Sequence, residues 1–274
     1  MSERVLYVSD LDGTLLRGDK TISPFSLSAI NALIEKGMLF TYATARSFYT
    51  ASEVSRGLCP KIPIILYNGT FMATPSGEVI YTCSFEKKTA ERALALVQEA
   101  GISPLVYSFF DGKEHFSYDE KCVTRGIRAF LDDHPSDSRC NPTKKEMLTQ
   151  GELFHITCID EREALFPLYE RFRTECSCVL YKDAYTGDWW LEIMPQGATK
   201  ANAIKELAKM LDCDKIVCFG DGENDLSMLE VAHELYAVEN ASEALKAGAS
   251  GIIDSNENDG VARFLLKRGI YGQD

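Results

Sequence analysis

Asp10-Leu11-Asp12-Gly13-Thr14 follows the apolar run Val5-Leu6-Tyr7-Val8 after a single serine. Two carboxylates two residues apart, at the end of a buried strand, contribute nothing to an apolar core. They suit phosphoryl transfer. A carboxylate such as Asp10 can attack phosphorus and form an acyl-phosphate. A neighbouring acid, Asp12, can protonate the leaving oxygen and then activate the water that cleaves the intermediate. Two anions meet only with a cation between them. An oxygen-rich acidic set without soft ligands selects Mg²⁺. Asp221, in the run Gly220-Asp221-Gly222-Glu223-Asn224-Asp225, offers a further carboxylate for that ion. Charge building on the transferred phosphoryl group calls for a hydroxyl and an ammonium. Thr44 supplies the first and Lys200 the second.

These residues need a scaffold that gathers them. Val5–Ser9, Met38–Ala43, Ile62–Tyr67 and Ile216–Phe219 read as buried strands. A helix between the first two is opened by Ser23 and Pro24 and closed by Gly37. Strands alternating with helices predict a parallel sheet with right-handed crossovers. In such sheets ligands bind beyond the carboxyl ends of the strands. Those ends carry Asp10 and Asp12, then Thr44 and Arg46, then Asn68, then Asp221, Asn224 and Asp225. Arg46 and Asn68 are therefore expected at the substrate. Between about Cys83 and Met194 the α/β rhythm gives way to aromatic strands, polar loops and an amphipathic helix over Thr89–Ala100. After residues 195–197 the rhythm resumes, with helices over Ala198–Leu211 and Leu226–Ala232. The expectation is an α/β protein, a doubly wound Rossmann-like core with an inserted α/β cap. Its core segments are 1–82 and 196–274, and its cap is 83–195.

The chain has 274 residues and a formal net charge of −12, with 45% hydrophobic and 26% charged residues. That composition is ordinary for a soluble globular protein. The acidic balance speaks against nucleic acid as a partner. No run reaches the about 20 apolar residues that span a bilayer, and the N-terminus lacks signal-peptide features. A cytoplasmic location and no membrane partner are expected. Nine cysteines without a Cys-x-x-Cys pair read as reduced thiols. Four histidines without metal-site spacing argue against a histidine-ligated zinc hydrolase.

The chain resembles the haloacid dehalogenase-like phosphohydrolases, and within them the Cof-type branch with a type IIB cap. The residues that carry the resemblance are Asp10 to Thr14, Thr44-Ala45-Arg46, Asn68-Gly69, Lys200 and Gly220 to Asp225. It implies that Asp10 is nucleophile and metal ligand. Asp12 is acid/base, with its backbone carbonyl on the metal. Asp221 is the third protein ligand. Asp225 orients Lys200 or a metal-bound water, and Asn224 helps hold the phosphate. Ala45 and Ala201 stand where the family usually has glycine. The activity implied is Mg²⁺-dependent hydrolysis of small phosphorylated metabolites, sugar phosphates or similar, through an aspartyl-phosphate, with the cap closing over the site. A phosphomutase of the same family and a non-catalytic phospho-ligand sensor are the alternatives. Oligomeric state is not legible.

One competing motif is set aside. Cys122 to Arg128 satisfies the Cys-x₅-Arg spacing of thiolate phosphatases. No buried strand precedes it, however, and Val123, Ile127, Phe130 and Leu131 read as one helix face.

Overall fold

The computed structural model describes residues 3–183 and 186–271. The chain begins with β1 (Val5–Ser9), α1 (Pro24–Glu35), β2 (Leu39–Tyr42), α2 (Phe48–Val54), β3 (Ile64–Leu66), β4 (Phe71–Ala73) and β5 (Val79–Thr82). Next come α3 (Lys87–Glu99), β6 (Leu105–Phe110), β7 (Lys113–Asp119), α4 (Arg125–Asp133), β8 (Cys140–Thr143) and β9 (Glu152–Asp160). α5 (Arg162–Phe172), β10 (Ser177–Lys182) and β11 (Trp189–Met194) follow. The last elements are α6 (Lys200–Met210), β12 (Lys215–Gly220), β13 (Glu234–Val238), α7 (Glu243–Gly248), β14 (Gly251–Ile253) and α8 (Gly260–Tyr271). The fold is α/β. Two compact units divide it, one joining the residues through Thr82 with those from Thr199 onward, the other Cys83–Ala198.

The first unit is built on a parallel sheet of order β14-β13-β12-β1-β2. Its central strands are apolar on both faces, as a sheet covered on both sides requires. Leu6, Val8, Phe40, Val217 and Phe219 are all fully buried. Register places the chemistry. Ser9 lies opposite Phe219 on one side and Tyr42 on the other. The next residues, Asp10, Ala43 and Gly220, therefore stand side by side at the carboxyl end of the sheet. α1 starts as expected: the Ser23 hydroxyl accepts from the Ser26 N–H at 2.9 Å and Pro24 takes the first helical position.

Two elements differ from expectation. The third strand, read as Ile62–Tyr67, is shorter and forms no ladder with β2; a single parallel bridge, Ala43–Ile65, joins it just past the end of β2. It belongs to a separate antiparallel sheet, β3-β4-β5. The cause is the turn that follows: Tyr67 and Asn68 have φ of 48° and 52°, and the chain reverses at once into β4. The helix expected over Leu226–Ala232 is a 3-10 turn spanning Glu223–Glu230. Its start is pinned by the Asp225 carboxylate, which accepts from the N–H groups of Asp221 and Gly222.

The second unit carries a mixed six-stranded sheet, β10-β11-β9-β6-β7-β8. Its pairs are antiparallel except β7 with β8. Val106, Ile156, Cys158, Leu191 and Ile193 form a core with Leu94 and Val97 of α3 and Leu165 and Phe172 of α5. The Cys-x₅-Arg segment turns helical only from Arg125, with Thr124 as N-cap of α4 and Ile127 and Phe130 buried, while Val123, expected on the helix face, precedes the helix. α4 lies close on β9, where a Cβ at Gly126 would fall 2.5 Å from Ile159 Cγ2.

An ion cluster ties the C-terminal helix to the first unit's sheet. Glu234 accepts from Arg268 Nη1 and Nη2 at 2.5 and 2.7 Å, and from Tyr236 at 2.6 Å, and it pairs with Lys215 at 2.6 Å. The Arg268 hydrogen bonds hold this carboxyl well below the usual glutamate value. A depressed carboxyl stabilises the fold above its unfolded pKa and loses that contribution as pH falls through its folded one. Glu234→Gln is therefore expected to cost about 1 kcal/mol at pH 7, a partly exposed cluster being screened by solvent. Urea denaturation should show this gap closing as pH drops below 4.5, the unfolded glutamate value. A gap that persists unchanged at pH 3 contradicts it.

Candidate active site

Lys200 is the first residue of α6, and the Thr199 hydroxyl caps that helix by accepting from the Asn202 N–H at 3.1 Å. The lysine side chain is fully buried. Its Nζ donates to Asp10 Oδ1 at 2.5 Å and to Asp225 Oδ1 at 2.7 Å. Burial alone would strip the proton from a lysine. Here the Asp10 and Asp225 carboxylates outweigh burial and hold the ammonium well above the ordinary lysine value. The other Asp225 oxygen accepts from Asp221 N and Gly222 N at 2.9 and 3.0 Å. Asp225 thus fixes the lysine on one side and the backbone of Asp221 on the other.

Asp221 completes the acid group. Carboxylate oxygens of Asp10, Asp221 and Asp225 all lie within 4.8 Å of one another. Burial, then the negative charge of Asp225, pushes the Asp221 carboxyl up to about 7. Burial also raises Asp10 well above the ordinary aspartate value, with Lys200 pulling the other way. One ammonium faces three carboxyl groups in a largely buried place, so their full ionisation would leave an excess of negative charge there. All its donors are oxygens. Such a set fits a hard divalent cation, Mg²⁺ among them. Thr14 adds a hydroxyl donating to Asp221 Oδ1 at 2.9 Å. Gly13 has φ of 75°, and a Cβ there would fall 2.3 Å from Asp221 Oδ2, so only glycine lets the backbone pass this carboxylate.

Asp12 sits apart from this group. Arg46 grips it with Nε to Oδ2 at 2.7 Å and Nη2 to Oδ1 at 2.6 Å. The two acids of one short motif therefore have different cations, a buried ammonium for Asp10 and a guanidinium fork for Asp12. Arg46 was expected at the substrate, and the sequence offered no sign of this partner.

Thr44 is fully buried at the end of β2, and its hydroxyl accepts from the Arg46 N–H at 3.1 Å. The turn at Tyr67–Gly69 braces the same loop, since Tyr67 N donates to Arg46 O and Asn68 N to Thr44 O. Left-handed geometry at two consecutive non-glycine residues is strained backbone, which persists where surrounding structure enforces it. Gly69 provides that enforcement, because its Cα packs so near the Thr199 carbonyl that a Cβ would lie 2.2 Å away. Asn224 Nδ2 donates to Asn68 Oδ1 at 3.4 Å. The strand ends thus bring together Asp10, Thr44, Arg46, Asn68, Lys200, Asp221, Asn224 and Asp225. Thr14 is an addition, visible beforehand only as part of the motif.

A family model described as haloacid dehalogenase-like hydrolase matches residues 7–265. This chain belongs to the haloacid dehalogenase-like hydrolase family. The hydrolase is similar to the 5-amino-6-(5-phospho-D-ribitylamino)uracil phosphatase YitU of Bacillus subtilis (strain 168). They are 27% identical over 95% of this chain and 96% of that one. Among solved structures, TM0651 from Thermotoga maritima superposes with a TM-score of 0.75 at 28% identity, covering 98% of this chain and 97% of that one. BT4131, described as a subclass IIB sugar phosphatase of the same superfamily, gives a TM-score of 0.78 at 21% identity, covering 97% and 99%. The fold shared with BT4131 is the parallel-sheet core with an inserted α/β cap.

The acid excess has a thermal consequence. A carboxyl held above its ordinary pKa in the fold destabilises it once ionised, so the metal-free hydrolase should lose stability as pH rises through about 7. Asp221→Asn removes that charge and keeps an oxygen for the Thr14 hydroxyl. In EDTA at pH 8 its Tm should equal or exceed wild type. Mg²⁺ should raise Tm in wild type and leave Asp221→Asn unmoved. A variant several degrees less stable in EDTA, or one still stabilised by Mg²⁺, contradicts this account of the acid group.

Proposed function

We propose that this hydrolase is a Mg²⁺-dependent phosphatase of small phosphorylated metabolites that works through an aspartyl-phosphate on Asp10. The carrying observation is the buried Lys200 ammonium held between Asp10 and Asp225, with Asp221 beside them. Asp10 offers its carboxylate to phosphorus, and the ester oxygen leaves with a proton from Asp12. Asp12 then takes a proton from the water that attacks the phosphoryl-aspartate, which returns Asp10 and releases inorganic phosphate. Arg46 keeps both Asp12 oxygens oriented while the proton moves. The Thr44 hydroxyl and the Lys200 ammonium meet the phosphoryl oxygens as charge builds on them. Asn68 and Asn224 extend this cradle on the β3 side.

The Asp10 and Asp221 carboxylates and the Asp12 backbone carbonyl would hold the ion, with Asp225 as its outer partner through Lys200 or water. When bound, Mg²⁺ neutralises charge between the nucleophile and the phosphoryl oxygens. Lys200 on its own leaves the group too negative to accept a phosphate. The relative named for a phosphoribityl substrate supports a phosphorylated sugar or polyol as the substrate class. Nine unpaired thiols suit a reducing compartment such as the cytoplasm. Among the described residues no helix is long and apolar enough to cross a membrane.

Purified protein should release phosphate from p-nitrophenyl phosphate only with Mg²⁺ present. Asp10→Asn should abolish release, and Asp12→Asn should lower it by about a hundredfold or more, the range for a positioned acid/base. Release that persists in Asp10→Asn rejects the nucleophile, and no release from wild type across a panel of sugar phosphates rejects the phosphatase reading.

A further inference from the structure

The turn that carries Asp12 is held from outside the site by two asparagine side chains in series. Asn240, in the loop after β13, donates from Nδ2 to the Gly13 carbonyl at 2.7 Å. Its Oδ1 accepts from the Asn256 N–H at 3.1 Å. Asn256 in turn donates from Nδ2 to the Leu16 carbonyl at 2.9 Å. Each Nδ2 meets a carbonyl, and Asn240 Oδ1 meets a backbone N–H, so the amide orientations follow from the partners. Inside the turn, Leu15 N and Leu16 N both bond back to Leu11 O. The asparagines thus grip the outer face of a turn already closed on itself. The same loop also reaches Asp221, whose carbonyl accepts from Ser242 N at 2.8 Å.

The position of Gly13 decides how its neighbours meet Asp221. Its Cα lies against the Asp221 carboxylate, with no room for a Cβ. Asp12 precedes it, and Thr14, which follows, donates to Asp221. A shift of the Gly13 peptide therefore moves Asp12 and Asp221 relative to each other. We infer that Asn240 and Asn256 are positioning residues that set the Asp12–Thr14 turn over Asp221 for phosphoryl transfer. The inference rests on the phosphatase reading above. Neither asparagine touches the reacting atoms. Loss of their grip should slow the chemical step without weakening substrate binding, because a displacement of about 1 Å at a reacting group can cost about a hundredfold in rate.

Asn240→Asp is the sharpest variant. It keeps the shape of the side chain and the acceptor for Asn256 N–H, and it removes the donor to the Gly13 carbonyl. Asn256→Asp does the same at Leu16. Each should lower kcat on p-nitrophenyl phosphate about tenfold to a hundredfold, with KM within about twofold of wild type. The double variant should fall less than the product of the singles, since the two act on one turn. Amide hydrogen exchange, measured without substrate, should quicken over residues 13–18 in both variants. Glu239→Gln, an exposed neighbour, should leave every reading at wild type. Faster exchange with unchanged kcat overturns the inference, as does unchanged exchange with any rate. A kcat loss that tracks a lower Tm or a matching rise in KM assigns a merely structural role and overturns it too. Wild-type protein that turns over no phosphate ester removes the phosphatase reading itself, an outcome told apart by the wild-type rate.

Discussion

A single buried ammonium makes the rest of the site possible. Lys200 Nζ lies between Asp10 and Asp225, with no exposure to solvent. Three acids gathered in a dry place repel one another, and an unpaired buried charge costs several kcal/mol. The lysine lets Asp10 and Asp225 share the interior. The scaffold fixes the lysine in its turn. Thr199 caps its helix, Gly69 abuts the Thr199 carbonyl, and Asp225 is locked by two backbone N–H groups. Segments far apart in sequence converge because β1, β12 and β2 lie side by side in register. One ammonium cannot neutralise three ionised carboxylates, and an all-oxygen acidic set of this kind suits a divalent cation.

The two acids of the opening motif illustrate how environment separates like residues. Asp10 and Asp12 are two positions apart. Asp10 is almost wholly buried against Lys200, whereas the Asp12 side chain is one-third exposed and forked by Arg46. Different surroundings are what allow two carboxylates to take unlike roles in one reaction. The proposed division, Asp10 attacking and Asp12 moving the proton, is the one the family resemblance implies, with the Lys200 ammonium offsetting the burial that favours a neutral Asp10. Gly13 follows Asp12 as the joint that brings the second half of the turn across Asp221.

Much of this site is legible in the sequence alone. Strand-end polar residues plus one topology rule gathered Asp10, Thr44, Arg46, Asn68, Asp221, Asn224 and Asp225, whereas Lys200, alone an ordinary helix lysine, was lifted only by its place in that set. Pairing partners were not legible, because spacing along the chain says nothing of which cation grips which acid. Arg46 on Asp12 and Asn240 on Gly13 span 34 and 227 residues. Local conformation misled twice, and for one reason. At Tyr67–Asn68 and at Asp221–Asp225 the backbone obeys tertiary partners rather than propensity, so the third strand stops early at a left-handed turn and the expected helix is a 3-10 turn.

The proposed chemistry centres on one bond, between the Asp10 carboxylate and phosphorus. Rapid quenching of the hydrolase with a turned-over phosphate ester and Mg²⁺, then borohydride reduction and peptide mass spectrometry, reads that bond directly. An acyl-phosphate is reduced where a free carboxylate is not. The account predicts reduction at Asp10 alone, and only when substrate and Mg²⁺ are both present. Phosphate release with Asp10 unmodified, or with the label on another side chain, contradicts it.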